Sequence, residues 1–539
     1  MRCLIQMLRR RCLRRATDER GFTMVVTMGV LMVSSLLLVA AFTATDGDTS
    51  VVRNDLDQKK AYYAAQAAIS NYAFHLNQDV SYWKYCYTSA TQGGRSPAPG
   101  GPSAPANRVQ VPGSADESYS WVPLAASTAP APPTCDPLNP VPTMLESGQA
   151  ANGTFRIQAT GYSRNVSRTI VSTFRRKGFL NYVYYTQYET LDPATYYPAN
   201  PPDCAHPYGQ RPQSCGSINF TTGDAINGPM HSEDSLSICG NPTFGRNSRD
   251  AIETVPTPGH YAGPGGCSDY FLAGVRGTFK APANSVIPPP NNGELLATAQ
   301  SGGWTFTGTT HIVLNGATMT VTKSDGTTQT GWPTNGVIYV SSDPQRPCPA
   351  AYTPYNVDYT ANPGCGNVFI SGNYTTPLTV ASDNDVIIRG DLTTTVDGSG
   401  RPTTNALLGL VSNNFVRVYH PVSARGAPSA FQCGSAQNTD TSPNTIYAAI
   451  LAVKHSFIVD NYDCGAALGT LNVYGAIAQI FRGTVGTSGA GTGYLKNYGY
   501  DDRLASEEPP FFLNPVQAAW LVGRETECGQ GSSGPTACS

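Results

Sequence analysis

The longest apolar run in the chain lies near its start. From Phe22 to Thr45 the residues read FTMVVTMGVLMVSSLLLVAAFTAT, with no charge until Asp46. An α-helix rises about 1.5 Å per residue, so a run of this length spans a bilayer core and predicts a transmembrane helix over 22–45. Helix-forming residues continue beyond it, and Tyr62, Ala65, Ile69, Tyr72 and Leu76 recur at alternating spacings of three and four. That spacing puts them on one helical stripe and predicts a stalk helix over 46–85. The stripe packs either between subunits or against the chain's own body.

The pattern then changes twice. Residues 86–150 are rich in Pro, Ala, Ser and Gly (GGRSPAPGGPSAPAN, STAPAPPTCDPLNPVP), a composition that buries little apolar area and predicts a linker or loop. Over 151–200, GTFRIQATGYSRNVSRTIVSTFRRK and FLNYVYYTQYET alternate apolar and polar residues. They predict a small antiparallel sheet with an aromatic edge at Tyr182, Tyr184, Tyr185 and Tyr188. From 201 to 525 short apolar runs such as GVIYVSS, ALLGLVSNNFVRVYH and TIYAAILAVKHSFIV stand between Gly, Asn and Asp. Short strands with frequent turns and no intervening helices predict a β-solenoid or β-helix, each coil adding to a stacked core. No strict period is visible, so β-sandwich modules are the alternative. Residues 526–539 are a C-terminal tail. The predicted fold class is thus a long N-terminal α-helix, transmembrane plus stalk, followed by a mainly-β extracellular body.

Composition supports a strand-and-turn surface protein: charged residues are only 13%, Gly numbers 54 and Pro 42, and Tyr at 29 exceeds Phe at 18. The net charge of −2 hides an asymmetry, because residues 1–21 hold seven arginines against Asp18 and Glu19. A basic leader before an apolar run predicts the N-terminus inside and the body outside. The acidic remainder argues against nucleic-acid binding by the body. Of fourteen cysteines, Cys3 and Cys12 lie in the leader. The other twelve fall as near neighbours: Cys86 and Cys135, Cys204 and Cys215, Cys239 and Cys267, Cys348 and Cys365, Cys433 and Cys464, Cys528 and Cys538. Spacing does not fix their connectivity, but local clips suit an oxidising exterior, and no CxxC spacing points to zinc or a redox centre.

The junction Glu19-Arg20-Gly21-Phe22-Thr23-Met24 resembles the prepilin cleavage site of type IV pilins: a short basic leader ending in Gly, then Phe and an apolar helix. The resemblance implies cleavage after Gly21 by a prepilin peptidase and a new N-terminus at Phe22. Two other readings of the run are an uncleaved signal anchor and a signal peptide cut near Val39-Ala40-Ala41. Major pilins carry Glu at the fifth mature position, where it is taken to neutralise the N-terminal amine of the next subunit; here that position is Val26. The pattern therefore resembles minor pilins, including those at a filament tip. The stretch KKAYYAAQAAI is similar to the AAEAA-type stretch that follows their membrane helix, with Gln66 in place of the acid. These features cover residues 10–76. The body also resembles a poorly characterised extracellular module found behind pilin-like N-termini. The residues that carry this are Gly228-Pro229-Met230-His231-Ser232-Glu233-Asp234, Val386-Ile387-Ile388-Arg389-Gly390-Asp391, Gly475-Ala476-Ile477-Ala478-Gln479, and Tyr500 to Leu504 with Pro509-Pro510-Phe511.

The resemblance implies a structural minor subunit of a type IV pilus or related secretion filament, at its tip or priming it. Its partners would be other pilin subunits, with a surface or glycan ligand for the body. It would sit in the bacterial envelope with its body outside the cytoplasm. Two alternatives are a membrane-anchored β-helical glycan-active enzyme and an anchored adhesin independent of any filament. Enzymes on β-helices need carboxylates, or a base with cationic partners, in one groove. Asp224, His231, Glu233 and Asp234 are the candidates, His231 as base or metal ligand. The competing reading is a solenoid turn whose Ser and Asp cap backbone amides. Asp501, Asp502 and Arg503 suggest an ion pair beside Tyr500, and Tyr494, Tyr498 and Tyr500 suggest packing rather than a sugar platform. The Gly-rich run from Gly483 to Gly493 lacks the Gly-Lys-Ser/Thr ending of a phosphate loop, and neither GxSxG nor HExxH occurs. No enzyme activity, cofactor or metal is expected.

Overall fold

The computed structural model describes residues 22–79, 82–86, 107–126, 135, 144, 154–176, 178–196, 199–346, 348, 352–360, 362–423, 433–487, 491–505, 507–515 and 520–528. One helix, α1, runs over Phe22–Gln78. Only its second half is held by the rest of the chain. There Ala61, Ala65, Ala68, Ile69, Tyr72 and Leu76 are buried against an antiparallel sheet. The strand order in that sheet is Val109–Gln110, Glu117–Pro123, Phe155–Ser163, Val166–Arg176, Trp520–Glu527.

The small residues on α1 have a counterpart in the sheet. At Gly161 a Cβ would lie 2.0 Å from the Ala61 carbonyl oxygen and 2.3 Å from the Ala65 nitrogen, so only glycine lets strand and helix backbones approach this closely. Beyond that contact an aromatic core fills the gap. The Tyr72 ring meets Trp121 edge-on at 5.6 Å, Phe155 stacks on Phe174 at 5.3 Å, and Trp520 meets Phe155 edge-on at 4.7 Å.

Several expectations need correcting. Ala65, Ile69, Tyr72 and Leu76, with Tyr62 partly buried beside them, face the chain's own sheet, so the stripe is not available for packing between subunits. The transmembrane helix expected over 22–45 does not stand: among the described residues no helix is long and apolar enough to cross a membrane. Thr27, Ser34 and Ser35 interrupt the apolar run of α1, their hydroxyls donating back to carbonyls of the preceding turn. The expected linker over 86–150 contains the strand Glu117–Pro123, paired to Phe155–Ser163 throughout its length. Its residues Tyr119 and Trp121 are apolar on the buried face although the flanking composition is that of a loop. The expected tail at 526–539 begins inside the last strand of the sheet.

The sheet expected to run on to residue 200 stops at Arg176. Tyr184–Tyr188 belongs instead to a stack of parallel strands, with Tyr182, Tyr184 and Tyr185 buried rather than at an edge. Along one face of this stack the order from end to end is Thr278–Lys280, Ala251–Thr254, Met230–Ser232, Tyr184–Tyr188, then residues 477–481, 449–452, 408–412, 378–382, 337–341 and 304–307. The stack is therefore a β-solenoid whose coils do not follow chain order. The chain enters in the middle at Tyr184, winds to one end at Lys280, crosses to the far end at Trp304, and winds back until Ile477 pairs with Tyr184.

The crossing is made by a strap over 281–303 that lies along the coils. Its Ala283 amide donates to the Thr254 carbonyl, Val286 accepts from the Tyr185 hydroxyl at 2.7 Å, and Asn292 donates to the Ser382 carbonyl at 2.8 Å. The short helix Gly293–Gln300 completes it. Apolar side chains of successive coils, such as Val368, Val386 and Val416, stack in register and are fully buried.

Five disulfides clip the excursions: Cys86–Cys135, Cys204–Cys215, Cys239–Cys267, Cys348–Cys365 and Cys433–Cys464. Cys528 is disulfide-bonded as well, and Cys538 lies outside the described residues. Such bonds suit an oxidising, extracytoplasmic setting.

Candidate functional site

The first half of α1 stands clear of the body. Met24, Val25, Met28, Leu31, Leu36 and Leu37 expose between 61% and 70% of their surface, and Val26 exposes 47%. These positions fall on every side of the helix, so exposed apolar side chains surround it, with Thr27, Ser34 and Ser35 between them. Single exposed apolar residues are ordinary, but a contiguous apolar surface of this kind marks a contact to be made. Gly21 lies outside the described residues, and Phe22 is the first residue of α1.

The cluster singled out around His231 is structural in its geometry. The imidazole is fully buried, with Nε2 2.8 Å from Glu233 Oε1 and Nδ1 3.2 Å from Glu253 Oε2. Burial disfavours its charged form, but the hydrogen bonds and charges of the two glutamates outweigh that, and its pKa is raised. Both ring nitrogens are occupied, which leaves no lone pair for a proton from a substrate. Glu233 also accepts from the Ser285 hydroxyl and the Val286 amide of the strap, so the cluster fastens the strap to its coil. Asp234 accepts from Arg211 and from the amides of Glu189, Tyr208 and Ser235. Asp224 is elsewhere, 3.0 Å from Lys496 Nζ, where burial pulls the lysine pKa down against the attraction of Asp224.

The other candidates are placed as follows. Arg503 pairs with Asp501 and donates to the Ala406 carbonyl, while Asp502 pairs with Arg246, whose guanidinium lies 5.6 Å from the Tyr500 ring centre. Tyr494, Tyr498 and Tyr500 are buried and present no platform. The Gly-rich run from Gly483 to Gly493 is described except at 488–490.

One site was not singled out from the sequence. On the solenoid flank the excursion closed by Cys348–Cys365 covers a cavity of about 380 Å³. Its floor carries three asparagines on successive rungs: Asn414 donates to Asn384, and Asn384 donates to Asn367 at 2.7 Å. Tyr352, Tyr355 and Phe415 supply aromatic walls, and His455 stacks on Phe415 at 4.5 Å. Beneath them Arg417 is buried between Asp385 at 3.0 Å and Asp460 at 2.9 Å, with the Tyr352 ring centre 4.1 Å away. The sequence did carry a signal: an asparagine one or two residues before a triplet whose first and third residues are apolar, as at Asn367, Asn384 and Asn414.

Comparison with known proteins adds little. No protein-family model matches the chain, and no curated protein does. The crystal structure of the competence-associated pilin ComZ from Thermus thermophilus is similar over 88% of this chain and 98% of its own, at 12% identity and a TM-score of 0.27. A likeness that slight decides neither fold nor function.

Proposed function

We propose that the chain is a structural subunit of a pilus-type filament, held there by the free half of α1 and displaying the solenoid as its body. The observation that carries this is the ring of exposed apolar side chains from Met24 to Val39, set on a helix whose other half is fixed in an antiparallel sheet. A helix with apolar side chains on every side is stable in water only when surrounded. A single flat partner would cover one side; a bundle of like helices covers all of them. Cleavage before Phe22, as the leader pattern implies, would free the helix to enter such a bundle. Val26 offers no carboxylate to a neighbouring amine, which favours an end position, as a tip or priming subunit, over repeated packing along a shaft.

The test is to introduce Leu31→Glu with Leu36→Glu and examine filaments sheared from cells that express the assembly machinery. The parent chain should co-purify with filaments and begin at Phe22. The variant should keep the near-UV circular dichroism of the body yet be absent from the filaments. Incorporation of the variant at the parent level, or a mature chain beginning at another residue, would refute the proposal. A parent chain found at the surface but never in filaments would favour an anchored adhesin.

A further inference from the structure

We propose that the cavity beneath the Cys348–Cys365 excursion binds a neutral, hydroxyl-rich ligand, a saccharide, on the flank of the solenoid. Its size falls in the range of about 300–1,000 Å³ in which small-molecule sites lie, and three features of its lining define the ligand chemistry.

The first is charge. The one guanidinium in its wall, Arg417, is engaged by two aspartates, Asp385 and Asp460, and Asp358 in the same wall accepts from the Thr360 amide and hydroxyl. A phosphate or carboxylate ligand would find no uncompensated cation among these residues, only acids in excess. A neutral ligand meets no such penalty.

The second is the asparagine ladder. Each amide nitrogen donates to the next amide oxygen, from Asn414 to Asn384 to Asn367. The chain of bonds therefore spends Nδ2 of Asn414 and Oδ1 of Asn367, leaving Oδ1 of Asn414 as an acceptor at one end and Nδ2 of Asn367 as a donor at the other. They stand two rungs apart, roughly 10 Å along the solenoid axis. Hydroxyl groups both donate and accept, so a sugar can use both ends; a purely apolar ligand would leave them unpaired at a cost of about 1–3 kcal/mol each.

The third is rigidity with aromatic surface. Tyr352 donates to Asp460 at 2.6 Å and the Tyr355 hydroxyl lies 3.1 Å from that of Tyr462. The rings are thus fixed before any ligand arrives, and the disulfide closes the excursion that carries them. Rings fixed in advance lose little entropy on binding and can stack on the C–H face of a pyranose.

This inference concerns the body and is independent of α1. The experiment is titration calorimetry on the full chain with lactose, maltose, cellobiose and N,N′-diacetylchitobiose, and with glucuronate and glucosamine 6-phosphate as charged controls. At least one neutral disaccharide should bind saturably and the charged sugars at least tenfold more weakly. Val357→Trp, at the half-exposed rim of the cavity, should weaken that binding at least tenfold while circular dichroism stays unchanged. Tyr355→Ala gives a second measurement of the same wall and should weaken it similarly. Absence of saturable binding by every neutral disaccharide would mean that the ladder is structural only, and the proposal fails. Binding that survives both variants, or a preference for the charged sugars, overturns it equally.

Discussion

The sheet module and the solenoid differ in what they bury beside their apolar residues. Around α1 the core is aromatic, with Tyr72, Trp83, Trp121, Phe155, Phe174 and Trp520 in mutual contact. In the solenoid, stacked aliphatic residues are accompanied by buried ions: Arg417 between Asp385 and Asp460, Arg482 against Glu189, Arg211 against Asp234, His231 between two glutamates. The sheet module must hold a helix that leaves it, so it uses large non-directional surfaces; the solenoid must hold excursions and a strap at fixed rungs, so it uses directional bonds. A buried pair adds little net stability, yet it is costly to break and thereby fixes register.

The largest effect should come from Gly161→Leu. A side chain there meets the helix backbone at Ala61 and Ala65, which cannot step aside as a side chain would. The sheet module should lose at least about 5 kcal/mol, the upper end of what emptying a large aromatic site costs. Limited proteolysis should then cut α1 between 50 and 78 while the solenoid stays resistant. Simultaneous unfolding of both regions would erase the distinction drawn above.

Next is Arg417→Met, which leaves Asp385 and Asp460 buried without their cation. A loss of about 3–5 kcal/mol is expected in the solenoid transition, with the Tyr72 core unmoved. Replacing Asp385 and Asp460 by Asn in the same chain should recover part of it, and a denaturation midpoint unaffected by Arg417→Met would show that the pair is not needed.

A smaller effect is set by pH at the junction of the two regions. Glu508 Oε2 is buried without a hydrogen-bond partner, and burial pushes its carboxyl up to about 7 against the pull of Arg175 and Asn514. A folded pKa above the unfolded value of 4.5 gives stability that is full below pH 4.5 and is lost as pH rises to about 7. The loss approaches about 3 kcal/mol at 1.36 kcal/mol per unit. His231, also raised, acts in the same sense but above its unfolded value of 6.5. Thermal melts of Glu508→Gln between pH 4.5 and 7 should be flatter than those of the parent; equal slopes would assign the pH dependence elsewhere. The smallest effect on stability belongs to Leu36→Glu on the free half of α1, within about 0.5 kcal/mol, although the same change should abolish assembly.

Much of this contrast was legible in the sequence, but only as local pattern. The stripe from Tyr62 to Leu76 announced a helix with one buried face. What it faces was hidden, because its partners come from 117–123, 155–176 and 520–527, and the last of these lies beyond the whole solenoid. Gly161 sits in an ordinary strand pattern, and nothing local distinguishes it from a bulge. Short strands between glycines and asparagines were visible from 201 onward, yet coil order was not, since the strap reads as a plain Pro-rich loop, APANSVIPPPNNG. His231 and Glu233 stood out as a cluster; Glu253, on the next coil, did not, and it is this third residue that turns a candidate base into a doubly hydrogen-bonded structural side chain.

The order of the coils has a consequence in time. Residues 184–262 leave one edge of their first coil bare until residues 472–500, made much later, slide in between, and the Arg482–Glu189 pair then closes a separation of 293 residues. Contacts this distant in sequence form slowly, and until they form each half presents an open strand edge to any other chain nearby. The chain can seal its own middle only once residue 500 has been made.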